Sequence, residues 1–236
     1  MTIAPGARCF ALVPCAGEGA RLGAGLPKQY LRLAGRAMVA HTLDALARVP
    51  RITATLVVLA PLDDQFDSHV PDFGGEGRWL ARCGGTSRAG TVANGLAVLA
   101  TQGVEDRDWV LVHDAARCMV RPEWIDRLID ACVDDQVGGL LALPLADTLK
   151  AERDGRVGAT VDRAGMWAAQ TPQMFRLGLL RQALAAGTDF TDEASAVEAL
   201  GHAPKLVLGN LENFKLTWRA DFDLAARLLQ TAKDTP

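Results

Sequence analysis

Short, continuous apolar runs alternate with amphipathic segments along most of the chain. Continuous runs are typical of strands that are buried on both faces of a sheet. Apolar residues at helical spacing lie between them, as at Val92, Leu96 and Leu99. This alternation predicts an α/β fold, with a mostly parallel, Rossmann-like sheet covered by helices on both faces. The predicted strands lie at residues 10–13, 54–59, 109–112 and 139–143, with a weaker one at 205–208.

Residues 147–166 break this alternation, because the segment is polar and carries little apolar content. Asp154-Gly155 is a signal for a tight hairpin turn, and strand-like residues 148–151 and 157–161 flank it. A hairpin with so little core is only marginally stable alone. We therefore expect a protruding β-hairpin arm that packs on another subunit, and a mobile surface loop is the alternative.

A glycine-rich loop follows the first predicted strand. It contains Gly17, Gly19 and Arg21, and the run Pro27-Lys28-Gln29-Tyr30 comes shortly after it. Backbone N–H groups in such a loop can converge on an anion, and the two cations suit a triphosphate. A turn with two solvated charges is the competing interpretation. The loop lacks the Gly-Lys-Ser/Thr of a P-loop, and Leu22 replaces the third glycine of a dinucleotide fingerprint.

A second candidate site follows the strand at 109–112. Asp114 leaves this strand at its carboxyl end, where ligands bind in parallel sheets, on the same edge as the first loop. Mg²⁺ is commonly held by one or two carboxylates and substrate phosphates, so Asp114 is the candidate metal ligand. Arg117 adds a cation nearby. We interpret His113 as a histidine that is hydrogen-bonded at the strand end rather than as a general base.

Composition narrows the class of protein. The chain has 236 residues, of which 49% are hydrophobic and 22% charged, and this suits a single α/β domain over residues 1–236. A net charge of −3 gives no basic footprint for nucleic acid. Five scattered cysteines without a C-x-x-C pair argue against a zinc site or a disulfide framework. No apolar run is long enough to cross a bilayer, and we expect a cytoplasmic protein without a membrane partner.

The opening loop resembles that of the nucleotidyltransferases that activate small phosphates and sugars. Its Pro-Lys-Gln-Tyr run resembles specifically the 2-C-methyl-D-erythritol 4-phosphate cytidylyltransferases of isoprenoid precursor synthesis. Thr86 and Glu212 depart from the family pattern, where an acidic residue and an aspartate are usual. Further segments match this family in the same order along the chain, at residues 84–92, 147–150, 160–163, 170–175, 191–195 and 212–217.

The resemblance implies transfer of CMP from CTP to 2-C-methyl-D-erythritol 4-phosphate, with release of pyrophosphate. It also implies a homodimer, in which the arm at 147–166 embraces the partner. Arg21 and Lys28 would be catalytic, and Asp114 would hold Mg²⁺ or another divalent cation. The implied nucleotide-binding residues are Pro14, Cys15, Ala16, Gly17, Gly19, Gly85, Thr86, Thr91, Asp114 and Ala115. The implied acceptor-binding residues are Arg117, Thr148, Arg163, Thr171, Thr191, Glu212 and Lys215.

Three alternatives remain at the level of sequence. The first is a cytidylyltransferase for another polyol phosphate, such as ribitol 5-phosphate, and Arg163 with residues 192–195 favours the erythritol substrate. The second is a dinucleotide-binding oxidoreductase, which the missing third glycine disfavours. The third is a non-catalytic nucleotide-binding module, which the presence of both loop cations and Asp114 disfavours.

Overall fold

The computed structural model describes residues 7–17, 26–187 and 190–234. The strands are β1 (Cys9–Cys15), β2 (Arg32–Leu33), β3 (Arg36–Ala37), β4 (Ile52–Leu59), β5 (Arg78–Ala81), β6 (Trp109–Val112), β7 (Gly138–Pro144), β8 (Leu149–Arg153), β9 (Arg156–Val161), β10 (Trp167–Arg176) and β11 (Lys205–Leu208). The helices are α1 (Met38–Ala47), α2 (Phe66–His69), α3 (Arg88–Thr101), α4 (Pro122–Cys132), α5 (Leu177–Ala185), α6 (Glu193–Ala199) and α7 (Arg219–Asp234). Short 3-10 turns lie at Lys28–Tyr30 and Leu211–Asn213.

The central sheet has the strand order β11-β7-β10-β6-β1-β4-β5. β1 pairs in parallel with β4 and β6, and the pairs β4–β5 and β7–β11 are also parallel. Apolar side chains of β1 point alternately into two cores: Ala11 and Val13 pack with α1 and α4, whereas Phe10 and Leu12 pack with α3 and α5. The predicted fold class, a mostly parallel sheet with helices on both faces, is therefore confirmed.

One central strand was not predicted. β10 runs antiparallel to both of its neighbours, β6 and β7. Its sequence mixes apolar and polar residues and contains Pro172, and proline is unusual inside a sheet because it cannot donate a ladder hydrogen bond. The structure accommodates it because the pairing of β10 with β7 is interrupted between Ala169 and Gln173. Within this interruption, the Thr171 hydroxyl accepts from the N–H of Asp114, just beyond the end of β6.

The predicted hairpin is present and projects from the sheet. β8 and β9 pair with each other, and Asp154 and Gly155 have φ values of 53° and 73°, as a tight hairpin turn requires. Every residue of β9 is exposed, and Val157 is 66% exposed. The backbone N–H of Leu145 donates to the carbonyl of Met166 at 3.1 Å and closes the base of the arm. Packing of this arm on another subunit stays a prediction.

Among the described residues, no helix has both the length and the apolar character needed to span a membrane.

Candidate active site

A pocket of about 710 Å³ opens at the carboxyl edge of the sheet, beside the ends of β1 and β6. Every predicted nucleotide-binding residue within the described ranges lines it, and so do Lys28 and Lys215. Gly19 and Arg21 were also predicted, but they lie in 18–25, outside the described residues. Another cavity, of about 560 Å³, lies beside α1 and β4 and includes none of the predicted site residues. The lining of the first pocket is Pro14, Cys15, Ala16, Gly17, Lys28, Gln29, Met38, Gly85, Thr86, Ser87, Arg88, Thr91, Asp114, Ala115, Ala116 and Lys215.

Two buried neighbours hold the backbone that carries Lys28. The Gln29 side-chain amide donates to the Cys15 carbonyl at 3.1 Å, and so ties this turn to the end of β1. The Tyr30 hydroxyl donates to Asp63 at 2.6 Å, and its ring stacks on His69. Burial raises the pKa of Tyr30, so this hydroxyl keeps its proton. Lys28 is therefore presented to the pocket from a fixed turn.

The opposite wall of the pocket is the loop before α3. The Thr91 hydroxyl donates to the Ser87 carbonyl at 2.9 Å and accepts from the Gly85 N–H at 3.1 Å. Thr91 thus fixes the shape of the turn from within, where it is buried. A side chain at Gly84 would place its Cβ 2.3 Å from the Cβ of Ala16. Glycine is needed there because the two loops that form the pocket approach each other so closely.

Asp114 is the buried carboxylate of this pocket, and it forms two ion pairs. Its two carboxylate oxygens accept from Arg88 Nε and Lys215 Nζ, each at 2.8 Å. Burial works against ionisation of Asp114, but the charges of Arg88 and Lys215 outweigh it and hold the pKa of Asp114 well below its usual range. Asp114 is therefore a carboxylate at neutral pH, and it faces the predicted nucleotide site.

Buried hydrogen bonds fix the backbone of Asp114. The Thr171 hydroxyl accepts from the Asp114 N–H at 3.0 Å and lies 3.1 Å from Nδ1 of His113. Nε2 of His113 faces the Arg117 carbonyl at 3.2 Å, so Nε2 carries the proton and Nδ1 accepts from Thr171. Burial lowers the pKa of His113 to about 4, which leaves the ring neutral at pH 7. His113 thus occupies the hydrogen-bonded position at the strand end that its sequence context suggests.

The acceptor-binding candidates are placed differently from the nucleotide-binding ones. Arg117 donates to the carbonyls of Asn213 at 2.7 Å and Ala169 at 3.1 Å, and Glu212 pairs with Arg121. Thr191 is exposed beside Ser195. Thr148 and Arg163 are exposed on or beside the arm. Of the seven predicted acceptor-binding residues, Lys215 is the one that lines the pocket. The roles of all seven stay predictions.

Three residues that the sequence did not single out belong to this network. Gln29 lies inside the Pro-Lys-Gln-Tyr run, and Arg88 ends the Gly-Gly-x-x-Arg turn, so motif position was the available signal for both. Glu193 pairs with Arg88 from 105 positions further along the chain. It begins α6 and lies in the matching segment at 191–195, but nothing local indicated its partner.

A mostly parallel sheet with a lysine-lined pocket and a buried carboxylate at its carboxyl edge fits a nucleotidyltransferase. Comparisons with known proteins agree with this class of enzyme. A family model described as 2-C-methyl-D-erythritol 4-phosphate cytidylyltransferase matches residues 9–231. The chain belongs to this family, so the family and the class of enzyme predicted from the sequence are both confirmed.

Curated relatives cover nearly the whole chain. A 2-C-methyl-D-erythritol 4-phosphate cytidylyltransferase of Paraburkholderia phytofirmans is 54% identical over 230 residues, which are 94% of this chain and 96% of that protein. The bifunctional enzyme IspD/IspF of Albidiferax ferrireducens is 60% identical over 226 residues. This match covers 95% of our chain but 53% of that longer protein.

Solved structures agree on the fold. A crystal structure of 4-diphosphocytidyl-2C-methyl-D-erythritol synthase has a TM-score of 0.86 and 41% sequence identity, and the match covers 96% of this chain and all of that one. The 2-C-methyl-D-erythritol 4-phosphate cytidylyltransferase from Thermus thermophilus has a TM-score of 0.77 and 31% identity, with 94% and 99% of the two chains covered.

Proposed function

We propose that this chain transfers CMP from CTP to 2-C-methyl-D-erythritol 4-phosphate, giving 4-diphosphocytidyl-2-C-methyl-D-erythritol and pyrophosphate. The observation that carries the proposal is the pocket, where the predicted nucleotide-binding residues meet Lys28, Lys215 and the Asp114 carboxylate. Membership of the family supports the same reaction, because its relatives carry names for this activity.

The reaction needs charge stabilisation more than proton removal. A phosphate monoester has a second pKa of about 6, so at pH 7 the acceptor is mostly a dianion and already a nucleophile. One of its oxygens attacks the α-phosphorus of CTP, and the bond from that phosphorus to pyrophosphate breaks with its electron pair. The neutral, hydrogen-bonded His113 fits a site that uses no general base. Lys28, on its fixed turn, would stabilise the charge that develops on the phosphates.

Lys215 suits the acceptor side of this chemistry. The Lys215 side chain is 43% exposed and reaches the pocket, while its ammonium group pairs with Asp114. In the proposed complex Lys215 would contact the phosphate of the acceptor. Lys28 and Arg21 would share the negative charge of the departing pyrophosphate. Arg21 lies outside the described residues, so its role stays a prediction.

The site fits a divalent cation if the substrate supplies most of the ligands. Within the described ranges, no group of three or more His, Cys, Asp or Glu side chains forms a metal site. Asp114 nevertheless presents an ionised carboxylate in the nucleotide pocket, and Mg²⁺ is commonly bound by a single carboxylate with phosphate oxygens and water. We propose Asp114 as the protein ligand. When bound, Mg²⁺ would neutralise charge on the triphosphate.

We further propose that the chain works as a homodimer. Thr148 and Arg163, both predicted to bind the acceptor, are exposed and do not line the pocket of their own chain. At the base of the arm, Trp167 is 37% and Leu206 50% exposed, and both line the same shallow hollow. An apolar surface beside a hairpin without a core supports packing of the arm on a second copy. The arm would then carry Thr148 and Arg163 to the partner's pocket.

The direct test is pyrophosphate release by the purified chain with Mg²⁺, each of the four nucleoside triphosphates, and either 2-C-methyl-D-erythritol 4-phosphate or ribitol 5-phosphate. We expect turnover with CTP and the erythritol phosphate. Faster turnover with ribitol phosphate would replace the proposed acceptor, and no release with any pair would favour the non-catalytic module. Omitting Mg²⁺ and adding EDTA should abolish release, and undiminished activity in EDTA would overturn the metal proposal.

A further inference from the structure

Glu193 is a buried carboxylate to which none of the roles above applies. It is the first residue of α6 and its side chain is 1% exposed. Both of its oxygens accept from Arg88, at 2.6 Å from Nη1 and 3.0 Å from Nη2. Such a two-pronged pair between arginine and carboxylate is both directional and strong. A carboxylate buried to this extent costs free energy unless it is paired, so Glu193 and Arg88 depend on each other.

Arg88 connects Glu193 to the site. Its remaining side-chain nitrogen, Nε, donates to Asp114 at 2.8 Å. The guanidinium group is planar, so its two-pronged bond to Glu193 also fixes the direction in which Nε points. Asp114 therefore receives a hydrogen bond from an arginine whose orientation is fixed, and whose positive charge is balanced, by Glu193.

The backbone around Glu193 is held in place independently of Arg88. The Gln173 side chain accepts from the Ala194 N–H at 2.8 Å and donates to the Asp192 carboxylate at 2.9 Å. Asp192 also caps α6, by accepting from the Ser195 N–H at 2.9 Å. The start of α6 is thereby fixed to β10, and the position of Glu193 does not depend on its own ion pair.

The net charge of this cluster depends on Glu193. Asp114, Arg88 and Glu193 together bear one net negative charge, which Lys215 balances at 2.8 Å from Asp114. Without the charge of Glu193, Arg88 alone would neutralise Asp114. A further cation would then approach the neutral Arg88–Asp114 pair instead of an anion. Its attraction would be weaker, and the loss is larger inside a protein than in water because the effective dielectric constant is lower.

We propose that Glu193 is a positioning residue for the transfer reaction. It balances the positive charge of Arg88, so that Arg88 orients Asp114 without cancelling the attraction of Asp114 for a cation. The cation is Lys215 in the free chain and the metal of metal-bound CTP in the complex. This inference rests on the proposed function of the same pocket, and it adds a residue that need not touch a substrate.

The test compares Glu193→Gln with Glu198→Gln, a matched control because Glu198 is an exposed glutamate on the same helix. Calorimetry would measure the affinity for CTP with Mn²⁺ and again in EDTA, and kcat would be measured separately. We expect Glu193→Gln to weaken the Mn²⁺-dependent part of the affinity about tenfold and to lower kcat about 10- to 100-fold. The EDTA affinity should not weaken, and Glu198→Gln should match the wild type.

Two double variants separate charge from packing. Arg88→Gln with Glu193→Gln removes one charge of each sign, so the Mn²⁺-dependent affinity should rise above that of Glu193→Gln although the orientation of Asp114 is lost. Glu193→Gln should also have no further effect on kcat in an Asp114→Asn chain, because it acts through Asp114. A purely structural role predicts the opposite of both results.

The inference is overturned if folded Glu193→Gln keeps the Mn²⁺-dependent affinity and kcat of the wild type. It is also overturned if the charge-balanced double variant binds as weakly as Glu193→Gln, or if the losses of Glu193→Gln and Asp114→Asn multiply. If Glu193→Gln does not fold, the charge-balanced variant and Glu193→Asp, which keeps the charge, decide the matter by the same measurements. A wild-type chain that transfers no CMP would refute the proposed function, while the Mn²⁺-dependent affinity would still test Glu193.

Discussion

The nucleotide pocket and the arm both carry residues that the sequence marked as functional, yet they are built in opposite ways. In the pocket, Asp114 is buried, and its partners Arg88 and Lys215 come from distant parts of the chain. On the arm every residue of β9 is exposed, and the side-chain bond from Lys150 to Thr160 at 2.7 Å stays within the hairpin. The bonds that fix the nucleotide pocket thus all lie within one chain. Its arm, in contrast, presents an exposed surface.

The largest effect should come from removing the charge of Asp114. Asp114→Asn keeps the shape of the side chain but loses the ion pairs with Arg88 and Lys215, so we expect a folded protein whose kcat falls by on the order of 10³. Pyrophosphate release across a wide range of Mg²⁺ concentrations is the measurement. Asp134→Asn, at an exposed aspartate, is the control. Recovery at high Mg²⁺ would restrict Asp114 to a role in metal affinity.

Lys28→Ala should have the next largest effect, and it also acts in the nucleotide pocket. Loss of one preorganised donor to developing charge costs about 10²–10³ in rate, so kcat should fall by this factor while the affinity for CTP changes little. Lys205→Ala is the control, because Lys205 pairs with Asp135 away from the pocket. A near-normal kcat would remove Lys28 from the mechanism.

A mixed dimer would test whether the arm completes the site of another chain. Arg163→Ala should mainly raise KM for the acceptor, because the acceptor phosphate is charged before and after the reaction. Lys28→Ala and Arg163→Ala chains should each be nearly inactive at low acceptor concentration. When subunits exchange, one site of each mixed dimer receives both changes and the other neither, so up to half of the activity should return. If exchange is demonstrated and no activity returns, the arm serves its own chain.

The smallest effect should come from a region outside both the pocket and the arm, at the amino end of β6. Asp108 is buried before β6 and accepts from the Arg8 N–H at 2.9 Å, from Arg8 Nη2 at 2.7 Å and from the Glu105 N–H at 2.9 Å. Burial opposes ionisation, but these bonds lower the pKa of Asp108. A carboxylate with a lowered pKa stabilises the fold above the unfolded pKa of about 3.9, and this stability is lost as the pH falls through the folded pKa.

Asp108→Asn should therefore lower Tm at pH 7, by the equivalent of about 1–3 kcal/mol. The difference from the wild type should shrink toward pH 3, and kcat at 25 °C should not change. Thermal unfolding at the two pH values, with Arg107→Ala as an exposed neighbouring control, measures the effect. A Tm difference that is as large at pH 3 as at pH 7 would show that the charge of Asp108 is not the cause.

The sequence predicted those parts of the molecule in which a local pattern determines structure. β1, β4, β6 and β7 were recognisable because central parallel strands are buried on both faces and read as continuous apolar runs. The arm was recognisable from Asp154-Gly155, which fits the left-handed backbone of a tight turn. The nucleotide-binding residues could be grouped because the ends of parallel strands meet at one edge.

Features that depend on distant partners were not predictable. β10 contains Pro172 and polar residues, and it is a strand because β6 and β7 lie on either side of it. The link from Asp114 through Arg88 to Glu193 joins three segments that only the tertiary fold brings together. In the proposed homodimer, Thr148 and Arg163 reach the pocket of a second chain, and one sequence does not contain that geometry.

The closed base of the arm has a consequence for how such a molecule can change over generations. Leu145 bonds to Met166, and Trp167 lies opposite Pro144 in the sheet, so the chain leaves and rejoins the domain at a single point. Insertions and deletions are best tolerated where few buried contacts depend on the affected backbone. The hairpin can therefore lengthen, shorten or be exchanged for another without disturbing the sheet. In the proposed homodimer, a lineage could in this way change its assembly while inheriting its nucleotide site intact.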